Sequence, residues 1–231
     1  MSAIPIVALD FPAAESAERM VEQLGSLCRF YKVGSELFTA AGPRIVSQIR
    51  ESGADVFLDL KFHDIPNTVA GAVRNAAALG ARLLTVHASG GGAMLRAAVE
   101  AAGDQERCGV LAVTVLTSLA AADVASAWGR SAALDVRTEV LRLADVAAES
   151  GAHGIVCSGQ EAAEVRARFG DRLALLVPGV RLTGSGANDQ ARVVTPAEAA
   201  RAGARYVVLG RTVTSAPEPR MAMAEAARQL Q

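Results

Sequence analysis

Short apolar runs recur along the chain, and segments with helical periodicity separate them. Each run is four to eight residues long and shows no alternation with polar residues, a pattern typical of strands that are covered on both faces. The pattern predicts eight buried strands. They are Ile4–Leu9, Phe30–Val33, Val56–Leu60, Leu83–His87, Gly109–Leu116, Gly154–Cys157, Leu173–Val177 and Tyr206–Leu209.

The segments between these runs are rich in alanine and carry apolar residues at helical spacing. Several of them end at a glycine, the usual C-terminal signal of a helix, at positions 53, 80, 103, 151, 170 and 203. The predicted helices are Ala14–Leu27, Pro43–Glu51, Pro66–Leu79, Gly92–Ala102, Ala133–Ser150, Gln160–Phe169, Pro196–Ala202 and Glu218–Leu230.

Eight consecutive strand-then-helix units predict an α/β fold of the (β/α)8 type, a TIM barrel, which typically needs ~250 residues. The chain has 231 residues, and no linker, low-complexity tract or break in composition divides it. We therefore expect a single domain over residues 1–231. An open, doubly wound sheet is the alternative, because it is built from the same alternation of strands and helices.

The composition narrows the range of partners. The net charge is −1 and aromatic residues make up 4% of the chain, so neither nucleic acid nor an anionic membrane is the expected partner. The three cysteines lie far apart in apolar surroundings, as buried reduced thiols do. The N-terminus shows no signal-peptide pattern and no apolar run reaches the ~20 residues of a spanning helix, so a soluble cytoplasmic protein is expected.

A cluster of charges follows the third apolar run, in the sequence Asp59-Leu60-Lys61-Phe62-His63-Asp64. Side chains two apart on a strand share a face, so Asp59 and Lys61 should point the same way. Burying charges is costly, and even a paired set often fails to improve on apolar packing. A purely structural role is therefore a weak explanation, although Asp64 could simply cap the helix that begins at Pro66.

Polar residues also stand at the other predicted strand ends, where the active sites of barrels are built. Each has a structural alternative: Asp10 could belong to a turn, His87 could be an interior histidine, and Thr117 and Ser118 could cap a helix. The joint pattern is more specific than any member. It comprises Asp10, Lys32, Asp59 with Lys61, His87, Thr117 with Ser118, Pro178 with Arg181, and Gly210 with Arg211.

Two features predict a phosphate site. Residues 179–194 form a long segment rich in Gly, Ser and Asn after the seventh strand, and a loop of this length is usually functional or disordered; we expect a mobile phosphate-gripping loop, with a surface insertion as the alternative. Gly210 and Arg211 open a helix at the last strand end, where backbone N–H groups, the helix dipole and a guanidinium can hold an anion.

A set of charges of alternating sign indicates the type of reaction that the site could catalyse. These charges belong to Lys32, Asp59, Lys61 and Asp64. Unit charges roughly 4 Å apart interact by about 4 kcal/mol at an effective dielectric of roughly 20, and neighbouring carboxylates favour the protonated form of Lys61. A protonated lysine can donate a proton or stabilise a carbanion. A carboxylate beside an anionic substrate repels the negative charge of that substrate. Loss of carbon dioxide removes this charge locally and so relieves the repulsion.

The motifs together resemble the orotidine 5′-phosphate decarboxylase family, and in particular its bacterial branch. The resemblance runs end to end and is most specific in the run from Asp59 to Thr68, with sequence DLKFHDIPNT. The other motifs that carry it are Val7-Ala8-Leu9-Asp10, Tyr31-Lys32-Val33-Gly34, Leu116-Thr117-Ser118, Val177-Pro178-Gly179-Val180-Arg181, Asn188-Asp189-Gln190 and Gly210-Arg211. The loop departs from many bacterial relatives at Leu182 and Ala191.

The resemblance implies decarboxylation of orotidine 5′-monophosphate to UMP, without metal or organic cofactor. It implies that Lys61 protonates C6 of the pyrimidine while Asp59 opposes the departing carboxylate. Asp64 and Thr68 would reach the neighbouring subunit's site in a homodimer. The remaining implied contacts are Lys32 and Asp10 with the ribose, Thr117 and Ser118 with the pyrimidine, Pro178 with the substrate, and Gln190, Gly210, Arg211 and Arg181 with the phosphate.

Two other functions stay open from the residues alone. Mg²⁺-dependent sugar-phosphate decarboxylases and synthases on the same barrel share the D-x-K-x-x-D core, but they carry Glu where this chain has Lys32, which would repel a metal. A non-catalytic barrel that binds a nucleotide is the second alternative. Binding alone does not require a repulsive carboxylate such as Asp59.

Overall fold

Eight parallel strands form the centre of the computed structural model, which describes residues 2–129, 134–182 and 193–231. The strands are β1 (Ile4–Ala8), β2 (Phe30–Gly34), β3 (Asp55–Phe62), β4 (Leu83–His87), β5 (Gly109–Val113), β6 (Gly154–Val156), β7 (Ala174–Val180) and β8 (Tyr206–Leu209). Neighbours pair in chain order, and β1 pairs with β8 to close the sheet. The predicted TIM barrel is confirmed, and the open sheet is wrong.

The predicted strand bounds hold for β4 and β8 and shift elsewhere. The prediction for β5 was too long: the strand ends at Val113, whereas the apolar run continues to Leu116 in the following loop. Thr117 and Ser118 therefore lie in that loop rather than at the strand end. The strand β3 is longer than predicted because its charged C-terminal residues still belong to it.

Helices surround the barrel. They are α1 (Ala14–Leu24), α2 (Ser35–Ala41), α3 (Arg44–Glu51), α4 (Pro66–Ala78), α5 (Gly91–Ala102), α6 (Ala121–Ala127), α7 (Val136–Glu149), α8 (Gly159–Phe169), α9 (Pro196–Arg201), α10 (Arg211–Thr214) and α11 (Pro219–Gln229). The sequence did not predict α2, α6 and α10, which are too short to show a clear helical period. None of the helices in the described part of the chain is both long and apolar enough to cross a membrane.

The apolar core has two layers. The outer layer lies between strands and helices, where α3 buries Ile45, Val46 and Ile49. The inner layer fills the barrel with side chains that include Phe57 and Tyr206. All three cysteines are buried and none of them forms a disulfide, as predicted. Because the interior is filled, a ligand site has to lie at a rim of the barrel.

One strand departs from regular geometry. The pairing of β3 with β4 shifts register between Leu58 and Phe62, and Lys61 has a φ of 51°. It is the single non-glycine residue with positive φ in the described ranges. Non-glycine residues with positive φ carry backbone strain of roughly 1–3 kcal/mol, and such strain often occurs at functional sites. The strained residue here is the lysine that the sequence singled out.

Candidate active site

A cavity of about 650 Å³ opens at the C-terminal ends of the strands. The apolar inner layer contributes Phe57 and Leu176 to its lining. The structure also brings most of the predicted site residues to its lining: Asp10, Lys32, Asp59, Lys61, Thr117, Ser118, Pro178, Arg181, Gly210 and Arg211. Their placement agrees with the prediction, whereas their roles stay predictions.

Four predicted site residues do not line this cavity as described, and His87 is one of them. Asp64 and Thr68 are exposed on the protein surface, and the Asp64 carboxylate accepts a hydrogen bond of 2.6 Å from the Ile65 N–H. Ile65, not Asp64, is the N-cap residue of α4, so the capping alternative is not what the structure shows. Gln190 and most of the predicted loop 179–194 lie outside the described residues.

The charged residues form one connected chain across β1, β2 and β3. Lys32 Nζ lies 2.7 Å from Asp10 Oδ1 and 3.6 Å from Asp59 Oδ2. Lys61 Nζ donates to both oxygens of Asp59, at 2.9 and 2.8 Å. Asp59 is thus held between two ammonium groups, one from its own strand and one from the neighbouring strand.

The Asp59 carboxylate is ionised in spite of its burial. Burial acts to raise its pKa, but Lys32, Lys61 and the hydrogen bonds from Lys61 and Thr85 outweigh that effect, so its pKa lies below the ordinary value. The Asp59 side chain is only 11% exposed. A negative charge is therefore fixed at the floor of the cavity, where water screens it little.

Thr85 is a part of this cluster that the sequence prediction missed. Its hydroxyl donates to Asp59 Oδ1 at 2.9 Å and accepts from the Lys61 N–H at 2.9 Å. The one available signal was a polar residue inside the buried run Leu83–His87. That signal did not show which neighbour the hydroxyl would meet.

Two arginines, Arg181 and Arg211, line the cavity from the ends of β7 and β8. Arg181 is 8% exposed, and its Nη1 donates to the Val180 carbonyl at 3.1 Å. Burial lowers the pKa of Arg181, and the charge of Arg211 lowers it further. The Nε of Arg181 has no hydrogen-bond partner within the described ranges. Two guanidinium groups that lie close together repel each other, and an anion between or beside them would offset this repulsion.

The expected contribution of a helix dipole at Gly210 is small. The helix α10 that follows has four residues, and a macrodipole needs several aligned turns to reach its full size. The positive charge at this part of the cavity is therefore mainly that of the arginines. Thr117 and Ser118 line the cavity as predicted, but α6 begins at Ala121 after Ala120, so they do not cap it.

Two histidines lie beside the charged chain. The rings of His63 and His87 are 5.3 Å apart between centroids. Burial lowers the pKa of His87, and His63 and Lys61 lower it further, so its neutral form predominates at neutral pH. Within the described ranges, no three His, Cys, Asp or Glu side chains are arranged to hold a metal ion.

The fold and this cavity define a barrel enzyme whose site combines a linked lysine–aspartate cluster with a pair of arginines. Residues 4–226 match the family described as "Orotidine 5'-phosphate decarboxylase / HUMPS family". The chain belongs to this family, as the sequence resemblance predicted.

Curated relatives and a solved structure agree with that assignment. The chain is 50% identical to "Orotidine 5'-phosphate decarboxylase" of Halorhodospira halophila, over 97% of this chain and 94% of the relative. It is 53% identical to the protein of the same name from Anaeromyxobacter dehalogenans, over 92% and 91%. The crystal structure of orotidine 5'-phosphate decarboxylase from Lactobacillus acidophilus superposes with a TM-score of 0.87, at 33% identity over the full length of both chains.

Proposed function

We propose that this protein decarboxylates orotidine 5′-monophosphate to UMP in pyrimidine biosynthesis. The observation that carries the proposal is the Asp59 carboxylate held between Lys32 and Lys61 at the cavity floor. Membership of the family and the names of the relatives support the same substrate. Lys32 distinguishes this reaction from the Mg²⁺-dependent chemistry of sister enzymes, because a cation at that position would repel the metal.

The proposed chemistry follows from the two charges at the floor. The carboxylate of the substrate would lie beside Asp59 and be repelled by it. The bond from C6 to the carboxylate breaks, carbon dioxide leaves, and the electron pair stays at C6. Lys61 then gives a proton from Nζ to C6, and the resulting amine regains a proton from water. Repulsion eases as carbon dioxide departs, so the interaction favours the transition state over the bound substrate.

The other contacts place the reacting carbon. Arg181 and Arg211 would hold the phosphate by charge-assisted hydrogen bonds, with Gly210 nearby, and the binding energy of this remote group would help to orient the pyrimidine. Asp10 and Lys32 would contact the ribose. Thr117, Ser118 and Pro178 lie on the wall of the cavity and would contact the pyrimidine or its neighbouring atoms.

We also propose a cytoplasmic homodimer whose partners complete each other's sites through Asp64 and Thr68. Both side chains are exposed beside Ile65, an apolar residue that is 66% exposed. Mixing inactive Lys61→Ala protein with inactive Asp64→Ala protein tests this arrangement. Activity should return on mixing, because one site in each mixed dimer has both residues. Monomers in sedimentation, or no recovery after subunit exchange, would contradict it.

The direct test of the activity is ultraviolet-monitored decarboxylation of orotidine 5′-monophosphate by purified protein in EDTA. Rapid formation of UMP is the expected result. Activity on a keto-sugar phosphate with Mg²⁺, and none in EDTA, would assign the chain to the sister group instead. Binding of UMP without turnover of either substrate would indicate a nucleotide-binding protein.

A further inference from the structure

The strain at Lys61 needs a cause in the surrounding structure. Leu58 pairs with Leu84 and Phe62 pairs with Val86. Between these pairs, three residues of β3 face a single residue of β4, which is Thr85. The extra residues leave the regular ladder, and Lys61 takes up its left-handed conformation at this point. A strand in this geometry cannot pair all of its backbone groups with its neighbour.

The Thr85 side chain replaces the missing part of the ladder. Its oxygen accepts from the Lys61 backbone N–H, which can only donate, and its O–H donates to Asp59 Oδ1, which as a carboxylate oxygen can only accept. The direction of both hydrogen bonds is therefore determined. Thr85 is 0% exposed, so water cannot take over either bond without a rearrangement of the core.

One hydroxyl thus connects the backbone of the proton donor to the carboxylate that its ammonium contacts. The bond to Lys61 maintains the left-handed backbone that directs Nζ to Asp59. The bond to Asp59 keeps that carboxylate in the orientation that receives Nζ. Both ends of the Lys61–Asp59 contact are attached to the same rigid point on β4, and a threonine in a strand has few rotamers to choose from.

We propose that Thr85 is the positioning residue for proton transfer, and that its hydroxyl fixes Lys61 and Asp59 relative to the reacting carbon. This inference rests on the proposed function. Thr85 does not line the cavity wall and would not touch the substrate. Its loss should therefore affect the chemical step and leave binding of the phosphate and the ribose unchanged.

The test compares Thr85→Val with a matched variant, Thr114→Val. Thr114 is also a buried threonine, directly after the end of β5, but its hydroxyl donates to the Val156 carbonyl at 2.8 Å and it does not line the cavity. Thr85→Val should lower kcat for orotidine 5′-monophosphate about 100-fold, the size of effect expected for a misplaced reacting group, with KM and UMP affinity unchanged. Thr114→Val should leave kcat close to that of the wild type, and Thr85→Ser, which keeps the hydroxyl, should recover most of it.

Two results would overturn the inference. One is a kcat of Thr85→Val equal to that of Thr114→Val. The other is a KM of Thr85→Val that changes by the same factor as its kcat. If Thr85→Val does not fold, Thr85→Cys serves in its place, because the thiol is a weaker hydrogen-bonding group, and a wild-type kcat there would be equally contradictory.

A crystal structure of the same variant separates this inference from the proposed function. In Thr85→Val, Lys61 should leave the left-handed region and the contact of Nζ with Asp59 should lengthen. Unchanged geometry would overturn the positioning role, whatever the substrate. Failure of the wild type to form UMP would instead overturn the proposed function and leave this structural result to decide the inference.

Discussion

The two ends of the barrel both carry charged cavities, but they are organised differently. At the C-terminal end, Asp10, Lys32, Asp59 and Lys61 are linked in one chain with several contacts below 3 Å. At the N-terminal end, a cavity of about 370 Å³ is lined by residues of both signs: Arg50, Arg82, Arg107, Asp55 and Asp104.

The charges at the N-terminal end are held more loosely. Arg82 contacts Glu106 at 4.0 Å, and that glutamate is largely exposed, so the pair adds little free energy. Charges around a cavity therefore do not by themselves define a catalytic site. A site of this kind also needs charges that are fixed by one another, because only such groups act on a substrate without first reorganising.

Substitution of Lys61 should give the largest effect. Lys61→Ala removes the proposed proton donor, and positioned acids and bases contribute roughly 10²–10⁴-fold to rate, so kcat should fall by at least about 10³-fold. Arg82→Ala, which removes a cation at the opposite end, is the control and should leave kcat nearly unchanged. A comparable loss of kcat in Arg82→Ala would contradict the assignment of catalysis to the C-terminal end of the barrel.

Substitution of Asp59 removes the negative charge that lies between Lys32 and Lys61. Asp59→Asn leaves Lys32 and Lys61 facing one another without the carboxylate, and kcat should fall by about 10²–10³-fold. Because the pKa of Asp59 in the folded protein lies below its ordinary value of 3.8, its ionisation stabilises the fold at neutral pH. This stabilisation is fully present above the unfolded-state pKa and is lost as the pH falls through the lower folded-state value.

The measurement for Asp59 is the free energy of unfolding against pH. Below about pH 4, the slope should be smaller for Asp59→Asn than for the wild type. Thr114→Val, which removes no titratable group, is the control and should leave the slope nearly unchanged. Equal slopes in wild type and Asp59→Asn would mean that Asp59 does not carry this linkage.

Substitution of Arg181 should have an intermediate effect, on binding. A hydrogen bond to a charged group contributes about 1.5–3 kcal/mol, so Arg181→Ala should raise KM for the substrate by roughly 10–100-fold. Inorganic phosphate should also inhibit the variant less well than it inhibits the wild type. Arg107→Ala provides the control at the N-terminal end, and a similar rise in KM there would contradict the assignment of the anion site.

Alkylation should give the smallest effect. Cys108 lines the N-terminal cavity but is 4% exposed, and burial raises the pKa of its thiol to about 11. Since the thiolate is the reactive form, iodoacetamide at pH 8 should neither modify Cys108 nor lower activity. Mass spectrometry of the folded protein, with the denatured protein as the control, provides the measurement. Rapid alkylation of Cys108 in the folded protein would show that the N-terminal end of the barrel opens readily.

Much of the fold was predictable because local sequence carries the necessary signals. Apolar runs without alternation marked all eight strands, and glycines marked helix ends that have positive φ in the structure, as at Gly80 and Gly151. The bounds were less certain. Apolar residues continue past the end of β5 to Leu116, and short helices such as α2 contain too few turns to display their period.

The site was predictable to a different degree at different residues. Residues next to strand ends, such as Asp10 and Arg211, could be placed because every strand of a parallel barrel ends at the same rim. Thr85 could not be assigned a role, because its partners lie more than twenty residues away on another strand. Spacing along one strand says nothing about register with the next.

The sequence by itself determined the order of strands and helices, the set of charged residues at one rim, and the family resemblance. These follow from local periodicity and from residue types at fixed spacing. Only the tertiary structure decided the left-handed backbone at Lys61, the two hydrogen bonds of Thr85 and the pairing of Lys32 with Asp59 across strands. Each of these depends on the register and closure of the barrel, which arise from contacts between residues distant in the chain.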